Sequence, residues 1–172
     1  MKKWLTCVAG LLLLTVSAAA QAPEHYGPKK GQHLAFAAGT ISTFTVDSFS
    51  TTLISGQVGI GRFLTDIHEV GAVLATTFAH PEDGDNAYSH SLSAYYNYNW
   101  RYDSRLWFYA GPHLGVNRFE AQDDGDWSLT IGAHGGARYW LSPRTAVFAE
   151  PRLTSGSDIS IREVVFGVTV VL

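Results

Sequence analysis

Every second residue of the chain's last segment is apolar, and this period of two is the sequence feature that most limits the possible folds. One face of the segment carries Val164, Phe166, Val168, Val170 and Leu172. Such alternation is typical of a β-strand, whose successive side chains point to opposite sides. The same pattern returns along the chain, and no stretch after residue 30 has a sustained apolar period of 3.6. The sequence therefore predicts an all-β fold.

Eight segments of this kind are separated by turn residues. They cover residues 33–44, 49–63, 67–80, 88–101, 106–119, 127–141, 145–154 and 161–172. The breaks alternate between tight turns, at residues 64–66, 102–105 and 142–144, and acidic or polar loops, at residues 81–86, 122–126 and 155–158, with residues 46–48 as the first of the loops. Short turns at one end and longer polar loops at the other predict an antiparallel, up-and-down barrel with two unlike ends.

The two faces of the strands indicate which side of the barrel meets which environment. In the fourth strand Leu92, Ala94 and Trp100 share an apolar face, and the opposite face is mostly Ser and Asn. The outside of a soluble barrel would be rich in Lys, Glu and Asp. Gly, Ser, Thr and Asn suit the crowded inside of a narrow barrel instead, and the apolar face then suits lipid. We therefore expect a transmembrane barrel of eight strands.

Aromatic residues lie close to the tight turns, as an interfacial girdle at the periplasmic rim requires. Aromatics favour strands in any case, but their concentration at one end of several strands is not explained by that preference. The predicted girdle consists of Phe63, Tyr98, Trp100, Phe108, Tyr139 and Trp140.

The first twenty residues have the three parts of a secretory signal peptide. Lys2 and Lys3 precede an apolar run, which ends in the small residues Ala18, Ala19 and Ala20. We expect a signal peptide at residues 1–20, a short periplasmic segment at 21–32 and the barrel at 33–172. The remaining chain has no cysteine, and its ten basic residues against fifteen acidic ones give a formal charge near −5. No basic patch suggests binding to nucleic acid.

The face assignment places six charged side chains inside the barrel. They are Glu69, Arg101, Arg138, Glu150, Arg152 and Glu163. Unpaired buried charge is costly, so three acids and three bases predict an ion-pair network in the lumen. Glu69 and Glu150 are its expected acids, with Arg138 and Arg152 as their partners. A structural plug is the favoured interpretation, because eight strands leave no aqueous channel.

The stretch Gly-Arg-Phe-Leu-Thr-Asp-Ile-His-Glu-Val-Gly, residues 61–71, resembles the first periplasmic turn of the small outer-membrane β-barrel proteins, the OmpA-, OmpX- and OmpW-like group. Residues 109–115, 139–144 and 148–152 resemble further parts of the same pattern. Two positions depart from it: Arg62 replaces the usual aromatic residue, and Leu172 stands where the assembly signal usually ends in Phe or Trp. The resemblance implies that Val164, Phe166, Val168, Val170 and Leu172 form that signal.

The resemblance also implies the cellular setting: the Gram-negative outer membrane, contact with its lipid and lipopolysaccharide, insertion by the barrel-assembly machinery, and a monomer. The expected role is structural, in membrane integrity, or minor transport of small solutes, and related barrels allow a gate in the lumen. A surface adhesin is an alternative, although the loops are short and acidic.

A lipid A-modifying enzyme is a less favoured alternative. Ser89, His90 and Ser91 are the tempting cluster, but alternation places His90 on the lipid face and both serines inside. His113 and His134 face inward without an evident third ligand, so lumen packing is favoured over metal binding. No catalytic residue, cofactor or metal is expected.

Overall fold

The computed structural model describes residues 25–46, 49–81, 87–121, 124–156 and 160–172. The predicted signal peptide lies outside the described residues. Eight strands make up nearly all of the described chain: β1 (His33–Val46), β2 (Phe49–Phe63), β3 (His68–Pro81), β4 (Ala87–Arg101), β5 (Leu106–Ala121), β6 (Asp124–Ser142), β7 (Thr145–Gly156) and β8 (Ser160–Val171). All eight predicted strands are confirmed, each within three residues at either end.

Each strand pairs with its sequence neighbours in antiparallel orientation, and the sheet closes on itself. Closure occurs between β1 and β8, where Leu34 pairs with Val171 and Gly39 with Phe166. A closed sheet has no edge, so the pairing of its backbone groups is continuous around the barrel. The predicted up-and-down barrel of eight strands is confirmed.

The connections at the two ends of the barrel do not differ in length as predicted. Four, four and two residues join the strands at the end with tight turns, called here the turn end; two, five, two and three join them at the opposite, loop end. The prediction of longer loops was wrong because the strands continue into the acidic segments, as in the pairing of Ala121 with Asp124. The ends differ in charge rather than in loop length.

Glycines on the inner face make room for the large rings of the lumen. Tyr109 lies against Gly136, where an added Cβ would stand 2.7 Å from the Tyr109 hydroxyl oxygen. Tyr95 lies against Gly71 in the same way, and Phe148 against Gly167. The small residues that the sequence predicted on the inner face therefore form the surface on which the inward aromatic side chains pack.

Large apolar side chains cover the outside of the barrel. The exposed set includes Ile41, Val58, Leu74, Leu92, Leu114, Leu129, Ile131, Leu153, Val164 and Phe166. A belt of this size would be unstable in water and fits the hydrocarbon of a bilayer. The described ranges contain no helix that is long and apolar enough to cross a membrane. The inside-out arrangement predicted from residue types is confirmed.

Candidate functional site

The lumen at the turn end is filled by an apolar cluster, called here the apolar seal. Its members are Leu34, Phe63, Trp107, Trp140, Ala146 and Val171, none more than 4% exposed. Phe63 and Trp140 were predicted in the lipid-facing girdle, and that assignment was wrong: both are 0% exposed. Nearness to a turn sets the depth of a residue, whereas its parity along the strand sets its face. Trp140 follows Arg138 by two residues and therefore points inward with it.

The other four predicted girdle residues lie on the outer surface at the turn end. Tyr98, Trp100 and Tyr139 are each more than 40% exposed. The Trp100 ring stacks on Tyr98 at 6.1 Å and on Phe108 at 5.9 Å between ring centroids. The rings of Tyr98, Trp100 and Phe108 thus form a continuous row across β4 and β5, and Tyr139 faces outward on the neighbouring strand β6.

Residues 25–32 cross the turn end and are called here the N-terminal strap. The Gly27 amide donates to the Pro143 carbonyl at 3.3 Å, and the Gly31 amide to the Phe63 carbonyl at 2.8 Å. Pro28 is fully buried, and Tyr26 packs against the apolar seal. The sequence predicted only a short periplasmic segment here, without these contacts. Two glycines are the sequence feature that could have indicated its fixed course: Gly27 and Gly31 both have positive φ in the structure, 89° and 85°.

The first charged layer lies directly above the apolar seal. Arg138 and Glu69 form an ion pair of 2.8 Å, with side chains only 4% and 0% exposed. The Tyr95 hydroxyl donates to Glu69 at 2.7 Å. Arg138 also donates to Asn99 Oδ1 at 3.2 Å. Both charges are therefore desolvated but hydrogen-bonded on several sides, the arrangement that makes a buried pair tolerable.

A second charged cluster centres on Arg152. Its guanidinium lies 2.5 Å from Glu150 and 3.8 Å from Glu163, and it donates to Gln57 Oε1 at 2.8 Å. Tyr109 joins the two layers, because its hydroxyl donates to Glu150 at 2.9 Å and its ring centroid lies 4.3 Å from the Arg138 guanidinium carbon. The structure thus connects five of the six predicted network residues.

Arg101, the sixth predicted member, does not reach the network. It is exposed at the end of β4, where its guanidinium lies 4.8 Å from the Trp107 ring centroid and 3.4 Å from the His25 ring nitrogens. The prediction was wrong because the apolar seal already fills the lumen at this depth. Arg101 packs over the outside of the seal instead.

His113 and His134 meet inside the barrel, with their Nδ1 atoms 3.3 Å apart. His113 Nε2 lies 2.9 Å from the Thr154 hydroxyl, and His134 Nε2 lies 2.6 Å from Asn97 Oδ1. Each ring nitrogen therefore already has a polar partner. Within the ranges that the structure covers, no three His, Cys, Asp or Glu residues group as a metal site.

A cavity of about 170 Å³ occupies the lumen on the loop side of the network. Nine serine and threonine side chains line its wall: Thr40, Ser55, Thr77, Ser89, Ser91, Ser93, Thr130, Thr154 and Thr169. His90, by contrast, lies on the outer surface, where its Nδ1 is 3.1 Å from the Thr76 hydroxyl. The Ser-His-Ser cluster is therefore divided between two faces, as alternation predicted.

The residues of the predicted assembly signal share the outer face of β8. Val164, Phe166 and Leu172 are 47%, 61% and 65% exposed. Val168 and Val170 are partly exposed on the same face. The Leu172 amide donates to the His33 carbonyl at 2.9 Å, so the chain's last residue is tied to the start of β1.

A closed sheet of eight strands, an apolar belt and a filled lumen define a membrane-spanning β-barrel of the outer-membrane type. No protein-family model and no curated protein matches the sequence. Among solved structures the chain is similar to Neisserial surface protein A (17% identity, TM-score 0.60, covering 84% of this chain and 99% of that one). It is also similar to Ail of Yersinia pestis in a phospholipid nanodisc (13%, 0.55, 83% and 100%) and to the N-terminal barrel domain of Pseudomonas aeruginosa OprF (20%, 0.54, 84% and 100%). This fold, together with the apolar belt, places the protein in the outer membrane.

Proposed function

We propose that the protein is a closed barrel with a structural role in the outer membrane, and that it does not conduct solutes. The observation that carries the proposal is the stacking of two obstructions in one lumen. The Glu69–Arg138 layer crosses the barrel first, and the apolar seal with the N-terminal strap lies beneath it. A barrel of eight strands is just wide enough for side chains, so neither obstruction leaves a bypass.

The same arrangement argues against a readily opened gate. To open the lumen, Arg138 and Glu69 would have to separate while both remain buried, which costs several kcal/mol. The indole rings of Trp107 and Trp140 would also have to leave the space beneath them. Opening would therefore require one conformational change that moves both the ion-pair layer and the apolar seal. We infer a plug, and we take the turn end to face the periplasm, because residues 61–71 of this end resemble the first periplasmic turn of the small outer-membrane barrels.

Minor transport is a second candidate, favoured by the cavity of about 170 Å³ on the loop side. That cavity would form the outer half of a path. An enzymatic role has less support, because Ser89 and Ser91 line the lumen whereas His90 lies outside. Nucleophilic catalysis needs the two side chains within hydrogen-bond reach of each other.

Conductance across a planar lipid bilayer separates the two candidates. The mature barrel should give no current steps above those of the lipid alone. Glu150→Ala should also stay silent, because it removes contacts of Arg152 and Tyr109 and leaves the Glu69–Arg138 ion pair in place. Steady steps from the unaltered protein would contradict the structural role and support transport.

A further inference from the structure

The two ends of the barrel carry opposite charge, although the chain as a whole is acidic. Six basic side chains are exposed at the turn end: Lys29, Lys30, Arg62, Arg101, Arg105 and Arg144. They are called here the basic rim. Asp66 and Asp103 are the acidic side chains of the described residues at this end. A net charge of −3 for the whole sequence thus conceals a strongly basic surface.

The carboxylates of the turn end are engaged by backbone amides. Asp66 Oδ1 accepts from the Lys30 amide at 2.9 Å. Asp103 Oδ1 accepts from the Arg105 amide at 2.6 Å and from the Leu106 amide at 2.7 Å. These bonds shape the strap and a turn, and the two carboxylates balance only part of the charge of the six bases.

The bases of the rim have no carboxylate partner among the described residues. The ion pairs of the described residues involve Arg118, Arg138 and Arg152, which lie elsewhere in the barrel. Arg105 instead donates to the Tyr26 hydroxyl at 3.0 Å and lies over its ring. Solvent-exposed cations that outnumber the carboxylates at the same end of the barrel attract an anionic surface.

The N-terminal strap brings two of these charges to the rim. Hydrogen bonds from Lys30 to Asp66 and from Gly31 to Phe63 fix the Lys-Lys pair beside the turn between β2 and β3. Without these hydrogen bonds, the segment that carries both lysines would have no fixed position at the turn end. The basic rim is therefore a product of the fold and not of a basic run in the sequence.

The depth of the rim matches that of lipid headgroups. Arg62 lies near the end of β2, on its outer face, and the Arg105 carbonyl accepts from the amide of Trp140, the neighbour of Tyr139 in the outer aromatic girdle. Aromatic rows of this kind lie at the boundary between hydrocarbon and headgroups, where the lipid phosphates begin. Arg62 is also the residue that replaces the aromatic usual in similar barrels, which gives that departure a physical meaning.

We propose that the basic rim binds the phosphate groups of anionic phospholipids in the leaflet at the turn end, which is the periplasmic leaflet in the orientation given above. This goes beyond the structural role and does not depend on whether the barrel conducts. A basic residue close to an anionic lipid surface strengthens binding by about fivefold. The arrangement favours lipid over the cell wall, because the cations flank the aromatic row instead of forming a separate pocket.

Native mass spectrometry of the full mature chain in detergent, titrated with phosphatidylglycerol or phosphatidylcholine of the same acyl chains, tests the proposal. The unaltered protein should retain phosphatidylglycerol preferentially. Arg62→Gln/Arg144→Gln should reduce that preference by about fivefold or more. The matched control is Arg118→Gln/Arg162→Gln, which removes the same charge from exposed positions near the loop end and should leave the preference unchanged.

A second variant guards against a rim double that does not fold, as judged by heat-dependent gel mobility. Lys29→Gln/Lys30→Gln alters exposed side chains outside the strands and should lower the preference in the same direction. Equal losses of the phosphatidylglycerol preference in the rim and loop-end double variants would overturn the proposal, since net charge alone would explain them. Binding to purified peptidoglycan that depends on the rim, with no lipid preference, would also overturn it and assign the rim to the cell wall.

Discussion

Two arginine clusters in one lumen use the same chemistry in different surroundings. Arg138 pairs with Glu69 between the apolar seal and the Tyr109 ring, with both side chains 4% exposed or less. Arg152 pairs with Glu150 and Glu163 beside the cavity, where the side chains are 15%, 8% and 23% exposed. The lumen therefore has a filled half toward the turn end and a hollow half toward the loop end, and Arg138 lies at their boundary, where it also lines the cavity. The same kind of ion pair is almost fully buried in the first half and partly exposed in the second.

Two single variants, one that replaces an arginine in each half, should show the largest difference in unfolding free energy. Arg138→Met should cost about 3–5 kcal/mol of unfolding free energy, because Glu69 is left buried without its counter-charge. Arg152→Met should cost only about 1.5–3 kcal/mol, since it removes charged hydrogen bonds beside a cavity that water can enter. Urea unfolding in lipid vesicles, followed by tryptophan fluorescence, measures both values. Equal losses would mean that the two halves are equally solvated and would remove the basis of the comparison.

A pair of adjacent glycines tests how tightly the filled half is packed. A Cβ at Gly136 would stand 2.5 Å from the Ala149 carbonyl oxygen and 2.7 Å from the Tyr109 hydroxyl. Gly136→Ala should therefore destabilise the barrel by about 1–3 kcal/mol, the usual cost of overpacking. Gly135→Ala is the control, because its Cβ would have no contact closer than 3.3 Å.

The same unfolding assay applies to both glycine variants. If Gly136→Ala were as stable as Gly135→Ala, Tyr109 would have room to move. The link that Tyr109 forms between Arg138 and Glu150 would then not be held by packing.

Alternation along the strands predicted the faces, and with them much of the network. Glu69 and Arg138 both fall on inward positions, and buried charges of opposite sign must find each other. The hollow half was not predicted, because a cavity depends on side-chain volumes across several strands. The acidic loop segments were assigned as longer than they are because Asp and Gly disfavour strands, whereas pairing with a neighbouring strand overrides that preference.

The strap and the apolar seal escaped prediction for a different reason. The contacts of Gly27 with Trp107 and Pro143 join residues far apart in sequence, and no periodicity marks residues 25–32. Trp140 and Phe63 were placed by their distance from a turn, which does not determine the face. Sequence patterns therefore predicted the strands of the barrel wall more reliably than the strap and the apolar seal that close its turn end.

Two glycines of the strap separate packing from backbone strain. Gly27 and Gly31 both have positive φ, so alanine at either position carries a similar conformational cost of about 1–2 kcal/mol. Only at Gly27 would the added Cβ also meet Trp107, 2.6 Å from its ring. Gly27→Ala should undock the strap more fully and increase tryptic cleavage after Lys29 or Lys30 well beyond the increase in Gly31→Ala. Similar rates in the two variants would show that Trp107 does not hold the strap.

Acidification should weaken docking of the strap, with the smallest effect of the series. Burial lowers the pKa of His25, and the nearby Arg101 and Lys29 lower it further, against a weaker opposing effect of Asp66. The docked strap therefore favours the neutral imidazole. Docking should be strongest above the ordinary histidine pKa of about 6.5 and should weaken as the pH falls below it.

The ratio of tryptic cleavage in the unaltered protein to that in Gly27→Ala measures this effect, because the protease's own pH dependence cancels between them. The ratio should rise between pH 7.5 and pH 5.5. In His25→Gln it should change less, since glutamine has no proton to gain near His25's position beside Arg101. A ratio that rises equally in His25→Gln would show that the acid sensitivity does not come from the His25 imidazole, and the contact between His25 and Arg101 would then play no part in docking the strap.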